Sequence, residues 1–231
     1  MLELNKLAGG WGPTLIIENL SLSIQPGETV AILGRNGVGK STLLELIVGR
    51  ARQRSGTIQL NGTDISDLRT FQRNRAGLGY VPQHREVFPN LTVDEHIAIA
   101  QQPGRWNRKE VLNLFPRLGE RIDAFGRNLS GGEQQMLAIV RALLGNPSVL
   151  LMDEPSEGLA PVVVEQLVGA IKILSEDRSL SLLLVEQRVD VALELASRCI
   201  VMERGMITFD GLTEQMLTGD VDVATVMGLG E

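Results

Sequence analysis

The stretch Gly34-Arg35-Asn36-Gly37-Val38-Gly39-Lys40-Ser41 carries the densest chemistry in the chain. Its glycines permit a backbone path that turns successive N–H groups inward. Those amides, with the N-terminus of a following helix, make a cradle for phosphate oxygens. Lys40 would reach the β- and γ-phosphates of a nucleotide, and the Ser41 hydroxyl, next to Thr42, would help to hold Mg²⁺. The spacing is the P-loop pattern G-x-x-x-x-G-K-[ST]. A ligand-free glycine turn is the plain alternative. A dinucleotide-binding turn would need a third glycine at position 42, which is threonine.

Acids and amides form a second group. Val149-Leu150-Leu151-Met152 ends in Asp153-Glu154, and Leu182-Leu183-Leu184-Val185 ends in Glu186-Gln187. Short continuous apolar runs of this kind read as strands buried on both faces, so the acids sit at strand ends. Asp153 can hold Mg²⁺ directly or through water. Glu154, one residue on, is expected on the other side of the strand end, where it can accept the proton of an attacking water. Adjacent acids that are merely solvated are the plain alternative. Gln83 closes the run Tyr80-Val81-Pro82-Gln83. Ser130-Gly131-Gly132-Glu133 is a capping box that opens a helix running toward Gly145.

Positioning these groups requires an alternating framework. Val30–Leu33 reads as the strand entering the phosphate loop and Thr42–Val48 as the helix leaving it. Leu15–Ile17 and Leu20–Ile24 read as two strands, and Trp11 lies in the glycine-rich approach Gly9-Gly10-Trp11-Gly12-Pro13. Gly56–Gly62 alternates as a strand closing on an Asn61-Gly62 turn, and Gly79–Val81 is a further strand. Over residues 84–127 the pattern turns helical. Thr92-Val93-Asp94-Glu95 is a capping box with Val93, Ile97 and Ile99 as its apolar side, and Asn107 caps a second short helix. A helix starts at Pro161, another spans Val189–Ala196, and Cys199–Glu203 is the last strand. Buried strands alternating with helices argue an α/β fold with a mainly parallel sheet covered on both faces. The tail Thr213–Glu231, with Met216, Leu217, Val221, Val223, Val226 and Leu229, could add a terminal helix packing on the core.

Composition narrows the classes. The chain has 231 residues, 43% of them hydrophobic, which suits one large domain. The net charge of −6 opposes a nucleic-acid footprint. Cys199 is the single cysteine, so neither a disulfide frame nor a thiolate metal site can be built, and its apolar surroundings make it a buried strand residue. No apolar stretch is long enough to span a bilayer, and Met1–Lys6 has no leader pattern. His84 and His96 read as surface or packing residues.

Order and spacing together resemble the ATP-binding cassette (ABC) ATPases, from Trp11 to about Gly211. Gly34–Ser41 is similar to that family's Walker A motif and Val149–Asp153 to Walker B, with Glu154 where the catalytic carboxylate falls. Gln83 looks like the Q-loop glutamine, which also approaches Mg²⁺, and Leu129-Ser130-Gly131-Gly132-Glu133 is similar to the signature. Trp11 matches the aromatic that stacks on adenine. The resemblance implies a P-loop NTPase core with an N-terminal antiparallel β subdomain, the core lying in 1–83 and 128–231 and a small helical subdomain in 84–127 that contacts a permease. It also implies MgATP hydrolysis and a head-to-tail dimer, in which Ser130, Gly131 and Gly132 of one subunit close on the nucleotide of the other.

Two departures stand out. Gln187 occupies the place of the usual switch histidine, and it can donate a hydrogen bond but cannot titrate near neutral pH. Ala160 stands where many members have aspartate. Both point away from a symmetrical homodimer and toward pairing with a different ATPase subunit. Glu86–Thr92, Glu154–Pro161 and Leu184–Gln187 resemble the smaller ATPase of bacterial importers for branched-chain amino acids and for urea or short-chain amides. Such importers imply two permease chains, a periplasmic binding protein, no nucleic acid, and a place on the cytoplasmic face of the inner membrane. A soluble ABC ATPase of iron–sulfur cluster assembly, or of another non-transport role, is the alternative.

Overall fold

The computed structural model describes residues 1–218. Two sheets enclose the helix that follows the phosphate loop. The first is antiparallel, in the order β2-β1-β4-β5, from β1 (Leu2–Trp11), β2 (Thr14–Ile24), β4 (Arg52–Leu60) and β5 (Thr63–Asp64). The second has the order β10-β9-β3-β8-β7-β6. It comprises β3 (Thr29–Leu33), β6 (Leu78–Val81), β7 (Val149–Asp153), β8 (Ser181–Val185), β9 (Arg198–Glu203) and β10 (Met206–Leu212). Its pairings are parallel except that of β10 with β9.

Strand period decides which core each residue joins. Val149 and Leu151 of β7 pack with Leu183 and Val185 of β8, and with Leu43, Leu44, Leu46 and Ile47 of α1 (Lys40–Val48). Leu150, Met152, Leu182 and Leu184 face the other way. There they meet α6 (Gly131–Leu143) and α7 (Pro161–Ser175). Such strands are apolar on both faces because both faces are covered, which is why their sequences run without a polar break. α8 (Val189–Leu195) and α9 (Thr213–Leu217) complete the outer layer. Cys199 is buried with Ala31, Leu33 and Met216.

Several elements differ from the sequence reading. β1 replaces the expected loop: Gly9 and Gly10 belong to it, and a Cβ on Gly10 would meet the Thr14 carbonyl oxygen at 2.3 Å, so the glycines serve close strand approach. The two strands expected in 15–24 are one, β2, kinked where Asn19 takes φ +53°. β10 and α2 (Thr70–Arg75) were not anticipated. Within α2, buried Arg73 donates to the carbonyls of Leu46, Ile47, Ser66 and Leu68 and so clamps the C-terminal end of α1. Of the tail residues, Met216 is buried and Leu217 exposed; Val221, Val223, Val226 and Leu229 lie outside the described residues. No helix among the described residues is long and apolar enough to cross a membrane.

The helical segment contains α3 (Val93–Ala100), α4 (Arg108–Leu114) and α5 (Pro116–Glu120). Both expected caps form: Thr92 and Glu95 exchange hydrogen bonds, and Asn107 Oδ1 accepts from the Lys109 and Glu110 amides. Val93 and Ile97 are buried as expected, whereas Ile99 is 59% exposed. His84 is exposed. His96 is fully buried and stacked on Phe88. Its Nε2 accepts from the Phe88 amide, so the proton sits on Nδ1, which donates to the Thr92 carbonyl at 2.6 Å. The Phe88 bond needs the neutral ring, and burial pushes the pKa below 6.5. A histidine depressed in the folded state contributes stability that is lost as pH falls below its unfolded value. Denaturant unfolding at pH 7.5 and 5.5 should therefore show a smaller acid loss for His96→Gln than for wild type; equal losses would contradict a neutral His96.

Candidate functional site

β3 ends at Leu33 and the chain loops into α1, whose first residue is Lys40. Gly37 and Gly39 take φ +80° and +108°. Gly39 also lies against β2, where a Cβ would come within 3.1 Å of Ile16 and Ile17 side-chain atoms. The loop bounds a cavity of about 390 Å³, lined by Ile16, Asn36, Thr42, Gln83, Glu157 and Gln187 together with the loop glycines, Lys40, Ser41 and Glu154.

Lys40 is the only cation among the lining residues, against Glu154 and Glu157. Its ammonium donates to the carbonyls of Gly34 at 2.7 Å and Arg35 at 3.1 Å, and lies 3.7 Å from Glu154 Oε1. Burial lowers its pKa, and the charges of Glu154 and Asp153 oppose that shift.

Asp153 continues the β7 face that packs on α1, and the Ser41 hydroxyl donates to its Oδ1 at 3.0 Å. Burial pushes the Asp153 carboxyl up to about 6. A buried carboxylate beside a hydroxyl, at the edge of a phosphate cradle, is a hard-oxygen donor set that fits Mg²⁺.

Glu154 corrects the sequence reading. Strand alternation put it on the opposite side of the strand end from Asp153. It leaves the strand path instead, at φ +47°, and its side chain faces Lys40. Its Oε2 accepts from Gln83 Nε2 at 3.3 Å and Gln187 Nε2 at 2.5 Å. The two amides flagged by sequence thus converge on one carboxylate, although Gln83 precedes the helical segment and Gln187 follows β8.

Trp11 sits at the end of β1, 46% exposed, and does not line the cavity; Ile16 of the neighbouring strand does. Leu129 is buried, and Ser130 caps α6 by reciprocal bonds with Glu133. Gly131, Gly132 and the rest of this stretch also lie outside the cavity lining.

A model of the ABC transporter family matches residues 17–157. The chain belongs to this family. It is an ABC ATPase, and its relatives cover it almost from end to end. BraG of Pseudomonas aeruginosa, a high-affinity branched-chain amino acid transport ATP-binding protein, is 38% identical over 94% of this chain and 95% of its own length. LivF of Archaeoglobus fulgidus, a probable branched-chain amino acid transport ATP-binding protein, is 36% identical over 99% of each. LptB of Haemophilus influenzae, from a lipopolysaccharide export system, is 32% identical over 95% and 94%. Among solved structures, the dimeric post-hydrolysis state of the ATP-binding cassette MJ0796 bound to ADP and Pi superposes with a TM-score of 0.81 at 26% identity, covering 92% of this chain and 99% of that one.

Sequence reasoning missed three polar residues of this ABC ATPase. Gln83 Nε2 also donates to Glu157 at 2.6 Å, and Ser156 and Glu186 are joined behind Glu154. One signal was available: Pro155-Ser156-Glu157-Gly158 after a strand end is turn chemistry, and the Glu157 amide closes that turn on the Glu154 carbonyl at 3.1 Å.

The loop geometry yields a test. Gly39→Ala puts a Cβ on a backbone that L-residues avoid, against Ile16 and Ile17, so the cradle must rearrange. ATP affinity, read by titration with a fluorescent analogue, should fall at least about tenfold, or roughly 1.4 kcal/mol. Unchanged affinity would refute this account of the loop.

Proposed function

We propose that this ABC ATPase energises a bacterial importer of branched-chain amino acids, or of urea or short-chain amides. The observation that carries the hydrolytic reading is the convergence of Lys40, Gln83 and Gln187 on the Glu154 carboxylate at the mouth of the phosphate loop. The solute class rests on the names of BraG and LivF.

Gly34–Thr42 receive the triphosphate, with amides of the loop and of the α1 N-terminus directed to its oxygens and Lys40 drawn to the β- and γ-phosphates. Ser41 and Asp153, with Gln83 beside them, would hold Mg²⁺, which would supply charge neutralisation on those phosphates. The acids that crowd the cavity make such a counter-charge necessary. Glu154 accepts the proton of the attacking water, and Gln187 and Gln83 orient its carboxylate. Trp11, exposed at its hairpin, stacks on adenine.

Leu129–Glu133 cap a helix that lies outside the chain's own cavity, which suits service to a second subunit's nucleotide in a head-to-tail pair. Gln187 and Ala160 favour a different ATPase as that second subunit. The helical subdomain, 84–127, docks the permease. Beside it lies a groove of about 670 Å³ lined by Arg50, Arg69, Phe71, Arg85, Ile99 and Arg141 among others. Its arginines and exposed apolar groups suit a short permease helix with acidic and apolar side chains. Two permeases would hold the chain at the cytoplasmic face of the inner membrane, and a periplasmic binding protein would select the solute.

Detergent extraction of native membranes and purification through this chain should recover two permeases and a second, different ATPase. Recovery of soluble partners alone would overturn the importer reading in favour of cluster assembly. In the recovered assembly, Glu154→Gln should bind ATP yet lose at least about a hundredfold in turnover. Hydrolysis at the wild-type rate would remove Glu154 as the base.

A further inference from the structure

Glu186 is a buried acid with no part in the hydrolytic scheme above. Its side chain is 2% exposed, and burial pushes its carboxyl up to about 7. Both carboxylate oxygens are given to one residue. The Ser156 amide donates to Oε1 at 3.2 Å and the Ser156 hydroxyl to Oε2 at 2.9 Å. The Glu186 amide donates to the Ile32 carbonyl at 3.1 Å, which ties Glu186 to the strand that feeds the phosphate loop.

The placement of these bonds is what matters. Ser156 follows Glu154 by two residues, and Glu186 immediately precedes Gln187, whose amide donates to Glu154 Oε2. The loops after β7 and β8 are therefore cross-linked twice, once through Ser156 and Glu186 and once through Glu154 and Gln187. The second link ends on Glu154 itself, which has φ +47°. A side-chain-bearing residue keeps such a backbone only where its surroundings over-determine it. The Glu154 amide is held by the Val185 carbonyl at 2.9 Å, and the Ser156–Glu186 pair holds the turn from its far side.

A neutral side chain could cap Ser156 without the penalty of burying a charge. The carboxylate has two acceptor oxygens and so takes the amide and the hydroxyl of Ser156 at once, whereas a glutamine offers only one. We propose that Glu186 is a positioning residue for hydrolysis: through Ser156 it fixes the turn that presents Glu154, and at the same strand end it sets Gln187 against that carboxylate. The inference rests on the reading of Glu154 as the base.

The test uses Glu186→Gln, Ser156→Ala and their double variant in the assembled transporter, with Glu154→Gln alongside. Each single change should lower kcat for ATP about tenfold, since small misplacements at a reacting centre have large rate effects. The ATP KM should stay within about twofold, and the double variant should be no slower than the slower single, because both remove one interaction. Melting temperatures no lower than wild type at pH 8 separate mispositioning from damage to the fold. Wild-type kcat in Glu186→Gln, additive losses, or a kcat that falls only in proportion to folded protein would overturn the proposal. An inactive Glu154→Gln beside a fully active Glu186→Gln would refute Glu186 alone, whereas an active Glu154→Gln would refute the base reading and this inference together.

Discussion

A single buried ammonium holds the electrostatics of this site together. Lys40 Nζ sits between the carbonyls of Gly34 and Arg35 and faces Glu154 across 3.7 Å. Burying an ammonium is unfavourable unless it is paired and hydrogen-bonded, and here both conditions are met by the loop's own carbonyls and by the carboxylate after β7. Its position also sets its reach: an amine drawn onto its own loop stands at the phosphate cradle, so it need only exchange partners when an anion arrives. Asp153, Glu154 and Glu186 gather around it, all buried. Such a cluster of acids opposes folding, as the raised carboxyls of Asp153 and Glu186 indicate.

The parallel sheet is what makes this crowding possible. β3, β8 and β7 are neighbours in register, with Ile32 opposite Val185 and Val185 opposite Asp153. Three strands therefore end at one level, and three loops leave from one line: the phosphate loop, the Glu186-Gln187 loop and the Glu154–Ala160 turn. Residues remote in sequence become adjacent because parallel strands deliver their C-terminal ends to the same edge, where ligands of open α/β sheets bind. The antiparallel sheet adds the far wall through Ile16 and packs onto α1 from the opposite side.

This division explains what was legible in the sequence. Local signals were read correctly: the glycine-rich loop, the caps at Thr92, Asn107 and Ser130, and the apolar runs of β7 and β8 are each specified by a few consecutive residues. Contacts set by where strands end were not. Gln83 and Glu157 are far apart in sequence and meet only through the sheet, as do Ser156 and Glu186. Glu154 was misplaced because alternation holds only while the strand continues, and its left-handed backbone ends the strand there. β1 was hidden by Gly9 and Gly10, which read as loop residues but are demanded by strand closeness. Arg73 gave no periodic signal, since its task is to satisfy carbonyls at a helix end rather than to extend an apolar face.

The same geometry bears on how hydrolysis would be felt elsewhere. Just beyond Gln83, Arg85 and Glu86 both adopt left-handed backbone, at φ +61° and +47°. Neither residue is suited to it by type, so the segment stays in place only through its contacts. Glu86 takes a bidentate pair from Arg50, at 2.6 and 2.8 Å, and its carbonyl accepts from Arg141 of α6. Arg50 in turn lies over Tyr80, and Arg141 over Phe88, which stacks on His96 of α3. A glutamine bonded to Glu154 and Glu157 is thus two residues from a strained segment pinned at once to the core and to the helical layers. Displacing Gln83 from those carboxylates would load that segment rather than dissipate in a flexible loop. Arg50, Arg85, Glu86 and Arg141 also line the groove proposed above for the permease, so the load would fall on that surface.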